Sequence, residues 1–314
     1  MNFSLPWAII LAGGDGTRLR PLTRLISHDD RPKQFCPIFQ GSSLLAQTRA
    51  RLAHAIAPER TVYAVVKAHE RFYKSELTDV KPSRIVVQPA NKGTTSAIIY
   101  ALLRVICSDA DATVGFFPSD HYYAQDERFV AAVKSAVHIV QEDAERLVVL
   151  GAEPQHAEVE YGWIERGTSL KNRFARPLFR VNRFWEKPSL RGAQAFLALG
   201  CLWNTFVMIG RAKTFLDALR STVPDVLGAF DAAMREYNGD LEPAWAHNLY
   251  KSLDAGDFSQ QVLSLCTDRL AVLHLAGVDW SDLGAPERVI ATMVRAGLRF
   301  EWPTAAFEPA GQRA

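Results

Sequence analysis

The chain has 314 residues, 48% of them apolar and 22% charged, with 36 Lys and Arg against 34 Asp and Glu. That length gives ample core for one large α/β domain or two small ones. The formal charge of +2 is spread over mixed signs, so the basic stripe that nucleic acid or an anionic membrane would need is missing. No apolar run approaches the ~20 residues of a membrane span. Four cysteines, Cys36, Cys107, Cys201 and Cys266, form no Cys-x-x-Cys pair and read as small buried thiols in a reducing cytoplasm. The first residues lack a basic leader and read as the approach to a strand rather than a signal peptide.

In chain order, Trp7 to Ala12 is an apolar run short enough for one buried parallel strand. It leads into Leu11-Ala-Gly-Gly-Asp-Gly-Thr-Arg-Leu-Arg-Pro-Leu-Thr23, which is closed by Pro32-Lys33-Gln34. Gly13, Gly14 and Gly16 let the backbone come close to a ligand and present N–H groups to phosphate oxygens, with Arg18 and Lys33 adding charge beside them. A helical pattern runs from Ser43 to Ala55, and strand-like runs follow at Thr61 to Val66 and Arg84 to Val87. Next come a helical pattern at Thr94 to Cys107, a strand at Thr113 to Phe117, a helix at Phe129 to Val140 and a strand at Arg146 to Leu150. This alternation implies a Rossmann-like α/β fold: a mostly parallel sheet, helices on both faces, ligands at the carboxyl ends of the strands. From Phe179 the strands are more widely spaced, as if a sugar-binding lobe were added. Ala285 to Ala296 reads as a closing helix, and Trp302 to Ala314 as a fraying tail.

The glycine loop is not one of the commoner phosphate loops. Leu19 stands where a dinucleotide-binding turn has its third glycine, and no Gly-x-x-x-x-Gly-Lys-Ser/Thr occurs. It resembles instead the signature of the sugar-1-phosphate nucleotidyltransferases, and Pro32-Lys33-Gln34-Phe35 points to their mannose-1-phosphate guanylyltransferase branch. One departure is an insertion, Leu25 to Arg31, between Arg24 and Pro32, which is expected to reshape the mouth of the site. Further motifs of the same family occur in order. Pro118-Ser-Asp-His121 follows a strand, and the resemblance makes Asp120 a magnesium ligand; His121 is either structural or a ligand contact. Asp279-Trp-Ser-Asp-Leu-Gly284 resembles Trp-Ser-Asp-Val-Gly, which makes Asp282 the second ligand. Alone, either carboxylate would read as a turn former or helix cap. Magnesium needs only one or two carboxylates, with phosphate and water completing its shell.

Arg183-Phe-Trp-Glu-Lys-Pro188 resembles Phe-x-Glu-Lys-Pro, so Glu186 is expected on sugar hydroxyls and Lys187 on the sugar phosphate. Tyr161-Gly-Trp-Ile-Glu165 resembles Tyr-Gly-Tyr-Ile-Glu, whose glycine, here Gly162, lies against the sugar; Val159-Glu160 replaces a usual Thr-Gly. Leu202-Trp-Asn-Thr205 matches Leu-Trp-Asn-Ser and puts Asn204 on the sugar, with Phe206 standing where the family has Gly. The nucleotide site is drawn from Leu11, Ala12, Gly13, Gly14, Gly16, Thr17, Gln88, Gly93 and Thr94. At Gln88 to Thr94 the base is open: Gln88 and Lys92-Gly93 replace the guanylyl branch's Glu and Arg-Asn, and they also resemble uridylyl- and thymidylyltransferases. Asp109-Ala-Asp111 precedes a strand and reads as a turn, not a metal motif.

The resemblance implies a magnesium-dependent transfer of a nucleotidyl group from NTP to a sugar 1-phosphate, with Arg18, Lys33, Asp120 and Lys187 as the catalytic set. GTP and mannose 1-phosphate are the first choice, UTP or dTTP with glucose 1-phosphate the alternative, and a non-catalytic NDP-sugar sensor the rival. The expected layout is a catalytic domain over 1–290, its nucleotide half about 1–150 and its sugar-phosphate half about 151–290, then a helix end and tail over 291–314. No hexapeptide repeat or second isomerase-type domain is expected. A homodimer is compatible with the chain.

Overall fold

The computed structural model describes residues 5–39, 41–173, 176–235, 244–300 and 302. Its strands are β1 (Trp7–Leu11), β2 (Thr61–Val66), β3 (Ile85–Gln88), β4 (Thr113–Pro118), β5 (Tyr122–Tyr123), β6 (Leu147–Ala152), β7 (Gly162–Leu170), β8 (Leu178–Glu186), β9 (Leu202–Arg211), β10 (Leu270–Leu275) and β11 (Trp280–Ser281). Helices α1 (Arg20–Ser27), α2 (Leu44–Ala53), α3 (Glu70–Glu76), α4 (Gly93–Ile106) and α5 (Asp126–Glu142) belong to the first half of the chain. The second half has α6 (Leu190–Ala198), α7 (Ala212–Thr222), α8 (Pro224–Met234), α9 (Ala244–Ser252), α10 (Phe258–Gln261) and α11 (Pro286–Arg295).

Nine strands form one sheet in the order β3-β2-β1-β4-β9-β6-β10-β8-β7. β1 to β4, β6, β7 and β10 run one way, and only β8 and β9 run against them. The expected direction therefore holds, but β9 enters antiparallel between β4 and β6, so the sheet is mixed. It also spans both halves of the chain without a break. β2, β4 and β6 are buried along their whole length, as parallel strands covered on both faces must be, which is why they read as continuous apolar runs. Helices α2 and α5 cover one face, packing Leu45, Val133 and Val140 onto Ile10, Val65 and Leu150. α4, α7, α8 and α9 cover the other, packing Ile98, Phe215, Phe230 and Tyr250 onto Ile9, Val86 and Val149.

Helix ends fall close to the expected limits for local reasons. Ser43 caps α2 by accepting from the Ala46 amide at 3.0 Å, and Asp126 and Glu127 place negative charge in the first turn of α5. The insertion after Arg24 continues α1 to Ser27 and then turns at His28, whose φ is 58°. A third cluster packs Leu19, Leu22, Phe39 and Leu44 against Leu283, Val289, Met293 and Trp302. It clamps the two ends of the chain together beside the glycine loop. Trp302 is therefore buried, not frayed; the rest of the expected tail lies outside the described residues. Cys36, Cys201 and Cys266 are buried thiols, whereas Cys107, at the end of α4, is exposed, contrary to expectation. Among the described residues, no helix is long and apolar enough to cross a membrane.

Candidate active site

β1 and β4 end level, Leu11 opposite Pro118, and β2 and β3 end level, Val66 opposite Gln88. A cavity of about 410 Å³ opens above these carboxyl ends. The glycine loop that forms its floor is cross-tied. Buried Gln34 donates its amide to the Ala12 carbonyl at 3.1 Å and to the Gly14 carbonyl at 2.9 Å. Asp15 meets His69 at 3.1 Å and accepts from Asn91 at 2.8 Å, and the other end of that Asn91 amide accepts from the Gly93 N–H at 3.0 Å. One carboxylate thus joins the loop after β1 to the segments after β2 and β3. Burial holds His69 below its ordinary pKa, against the pull of Asp15.

Of the expected nucleotide residues, Leu11, Gly13, Gly14, Gln88, Gly93 and Thr94 line the cavity, as does Arg18. Ala12, Gly16, Thr17 and Lys33 do not. Ala12 is buried and donates to the Ala64 carbonyl, which makes it a fastening of the loop. Arg18 reaches across the cavity mouth to an ion pair with Glu160, both side chains well exposed. Gln88 is nearly committed: its carbonyl accepts from the Tyr250 hydroxyl at 3.2 Å and its amide donates to Val65 at 3.4 Å, leaving one N–H for a ligand. Gly93 has a φ of +81°, and a Cβ there would lie 2.2 Å from the Gly256 carbonyl oxygen. That close approach seats residues 256–259 against α4, with Thr94 Oγ1 accepting from the Phe258 N–H at 2.8 Å. It brings Asp257 and Ser259 to the cavity wall, where no sequence motif had pointed.

Asp120 and Asp282 also line this cavity. The two-stranded ribbon of β5 and β11 brings them there, pairing Tyr122 with Ser281 and Tyr123 with Trp280. α2 braces the turn before Asp120, with Thr48 donating to the Ser119 carbonyl at 3.2 Å. Lys33 joins the two sides: its Nζ lies 3.3 Å from Asp120 Oδ2 and donates to the Asp282 carbonyl oxygen. Asp282 is the more encumbered carboxylate. It accepts from Tyr161 at 3.0 Å and from the Gly284 N–H at 2.8 Å, and it pairs with Arg288 at 3.0 Å. Burial works against its charge, but Lys33 and Arg288 outweigh burial and hold the carboxyl below the usual range. Arg288 also reaches Glu158 at 3.2 Å. His121 is bonded to the backbone at Thr205, its Nδ1 accepts from the Trp280 indole at 3.3 Å, and it lines the cavity; burial pushes its pKa down to about 4, so it is neutral.

Among the described residues no group of three or more His, Cys, Asp or Glu is arranged around a metal position. Two carboxylates on one cavity nonetheless fit magnesium, which takes one or two and leaves the remaining positions to phosphate and water. Asp120, which among the described residues meets Lys33 and a 3.8 Å approach of His121, is the freer of the two.

At the far side, Gly162, Glu186, Lys187 and Asn204 meet as expected. A Cβ on Gly162 would sit 2.7 Å from Glu186 Oε2, so this glycine is what admits the carboxylate. Burial, helped by the charge of Asp257, raises the Glu186 pKa to about 7. Lys187 has left-handed backbone, with φ 47°, and its N–H donates to the Tyr161 carbonyl at 3.2 Å. Four described non-glycine residues have such backbone: two, Lys187 and Phe206, line the cavity, and Leu283 follows Asp282. Strained backbone gathers where function is built.

Gln34, Tyr161, Asp257, Ser259 and Arg288 are the site residues that sequence reasoning passed over. Gln34 sat inside a quoted motif, but its work is to bind backbone, which no residue pattern announces. A larger cavity, about 870 Å³, lies at the opposite sheet edge, beside the starts of β4, β6 and β10. Its lining mixes Arg146, Arg180, Arg211 and Arg269 with Asp111, Asp143 and Asp268, far from the glycine loop. Asp109 there accepts from Trp7 at 3.0 Å and pairs with Arg60, as a turn residue does.

Comparisons with known proteins place the chain among nucleotidyltransferases. Residues 7–296 match the Nucleotidyl transferase family. The Xanthan biosynthesis protein XanB of Xanthomonas campestris pv. campestris is 32% identical over 283 residues, 88% of this chain and 57% of its own length. The mannose-1-phosphate guanylyltransferase of Escherichia coli K12 is 30% identical over 290 residues, 89% of this chain and 58% of its own. The chain thus spans 57–58% of the length of these two curated relatives. A Thermus thermophilus crystal structure described as mannose-1-phosphate geranyltransferase superposes with a TM-score of 0.78 at 27% identity, covering 92% of this chain and 80% of that one. With the family match running through almost every element of the sheet, this chain belongs to the Nucleotidyl transferase family.

Proposed function

We propose that this protein transfers the guanylyl group of GTP to mannose 1-phosphate, giving GDP-mannose and pyrophosphate in the cytoplasm. The observation that supports this is that one cavity gathers the glycine loop, Asp120 and Asp282, and Lys187 with Glu186. An in-line displacement needs triphosphate, metal and sugar phosphate within one cavity, and this lining supports that reading. An oxygen of the sugar phosphate attacks the α-phosphorus; the bond from that phosphorus to the bridging β-oxygen breaks, and pyrophosphate leaves with the electron pair. No covalent enzyme intermediate is needed. Catalysis rests on alignment and charge neutralisation between two polyanions.

The cross-tied loop holds the triphosphate in one place. Arg18 gives up Glu160 for the departing phosphates, and Lys33 sits between the aspartates to offset their charge. Lys187 draws in the sugar phosphate, while Glu186 and Asn204 orient the sugar hydroxyls. Magnesium, held by Asp120 with Asp282, would supply a compact positive charge on the phosphate oxygens.

Pyrophosphate release from each NTP with a panel of sugar 1-phosphates tests the proposal. GTP with mannose 1-phosphate is expected to be the best pair. Turnover with UTP or dTTP at more than about tenfold the GTP efficiency, ~1.4 kcal/mol at the transition state, would overturn the guanylyl choice. Gly93 and the partly committed Gln88 favour that second reading, with glucose 1-phosphate as acceptor. Release with no pair at all would leave a sensor of NDP-sugars.

A further inference from the structure

Where β9 runs past β6, Asn204 pairs with Gly151 and Met208 with Val149, so β9 carries a two-residue excess. The bulge is fully tied. Thr205 donates its hydroxyl to the Leu150 carbonyl at 2.7 Å and accepts from the Val207 N–H at 3.3 Å, and the Phe206 N–H donates to Asn204 Oδ1 at 3.0 Å. Phe206 sits at its apex with φ +60°, in the left-handed region that a bulky residue disfavours and glycine adopts freely. Its half-buried ring lines the cavity beside Asn204, Gly162 and Glu186. The motif that this segment resembles continues with glycine, a residue that would hold this backbone without strain.

From this we propose that Phe206 is a specificity-determining residue that limits the size of the sugar. The proposal rests on the sugar-phosphate reading of this end of the cleft. A glycine would leave the space beside Asn204 open. The phenyl ring fills it, in a cavity of about 410 Å³ that must also seat a nucleotide. The class admitted is hexose 1-phosphates bearing only hydroxyls; the class refused is N-acetylhexosamine 1-phosphates, whose acetamido group needs that space. The Phe206 N–H that fixes the bulge also engages the Asn204 carbonyl, so what Asn204 adds to the cavity lining as a donor is its NH₂ group.

The test compares wild type, Phe206→Gly and Phe206→Ala with mannose 1-phosphate and N-acetylglucosamine 1-phosphate. Both kcat/KM, from pyrophosphate release, and Kd, from calorimetry with each sugar phosphate alone, are measured. Both variants are expected to shift the acetamido-to-hexose ratio upward by about tenfold or more, the scale at which pockets discriminate by size. Phe206→Gly should also unfold at higher urea than Phe206→Ala, since only glycine relieves the left-handed backbone. An unchanged ratio in folded variants, by kinetics or by binding, overturns the proposal. A wild-type protein that binds both sugar phosphates but releases no pyrophosphate overturns the transfer reading instead, while the Kd ratio still decides the role of Phe206.

Discussion

On the wall of the cleft made by β1, β2 and β3, the loops are fastened to one another by Gln34, by the Asp15, His69 and Asn91 chain, and by the Gln88 to Tyr250 bond. On the wall made by β7, β8 and β9, Lys187 and Phe206 instead hold left-handed backbone, and Lys187 is half exposed. The first wall follows from level, parallel, buried strand ends, which bring successive loops within hydrogen-bonding reach. The second follows from antiparallel strands with bulges, where two extra residues re-aim a side chain without disturbing the core. In the proposed reading the triphosphate and metal belong to the fastened wall and its seam with the β5 and β11 ribbon. The sugar phosphate belongs to the strained one.

The largest expected effect lies at the seam. Asp120→Asn should lower activity by roughly a hundredfold or more with little change in urea midpoint, since Asp120 makes few bonds within the protein. Asp282→Asn should lose activity and stability together, by about 1–3 kcal/mol, because it abandons the partly buried Arg288 pair. Sequence alone assigns neither residue to the core and so predicts stability unharmed by both changes; the hydrogen bonds of Asp282 show why one of them should cost it. If both act through one ion, the double variant should be scarcely less active than the worse single one. Full activity of Asp120→Asn in magnesium would remove the seam from the mechanism.

Next come single replacements on either wall. Lys187→Ala should raise the KM for sugar phosphate by roughly tenfold to a hundredfold, the scale of a charge-assisted bond of about 1.5–3 kcal/mol, and barely move that for NTP. An equal loss for both substrates would erase the division between walls. Gln34→Ala strips the fastening from Ala12 and Gly14 and should weaken NTP binding about tenfold while destabilising the fold by roughly 1–3 kcal/mol. A loss confined to the sugar phosphate would reverse the comparison.

Glu186 sharpens it through pH. With its pKa raised to about 7, the carboxylate able to accept sugar hydroxyls becomes populated only as pH passes that value. The kcat/KM for sugar phosphate should therefore rise through about pH 7, and Glu186→Gln should flatten the step. The stability linkage has the opposite sense. A folded pKa above the ordinary glutamate value of 4.5 means stability present below that value and lost as pH rises through about 7. At pH 8, Glu186→Gln should thus unfold at higher urea than wild type. The smallest effect belongs to Glu160→Gln, which frees Arg18 from an exposed ion pair. Such pairs contribute about 0–1 kcal/mol, so the KM for NTP should fall about two- to threefold at low salt. A rise would assign Glu160 to the ligand instead.

The amino-acid sequence by itself determined β1 to β4, β6, α2, α4 and α5, because complete burial of a parallel strand leaves an apolar run and helix caps are local bonds; the short α1, α3 and β5 carry too few residues to show a period. It also located the glycine loop after β1, Asp120 after β4 and Lys187 after β8, since each of those motifs follows its own strand. Gly162 and Gly93 were legible as glycines but not as the clearances that admit Glu186 and Gly256. Tertiary structure alone decided that β9 enters between β4 and β6, and that the β5 and β11 ribbon joins Asp120 to Asp282. It alone decided that Arg288 pairs with Glu158, and that Asp257 and Ser259 reach the wall. Those contacts join residues remote in the chain, and their register is set by how the whole sheet and its helices pack, which no local pattern of residues encodes.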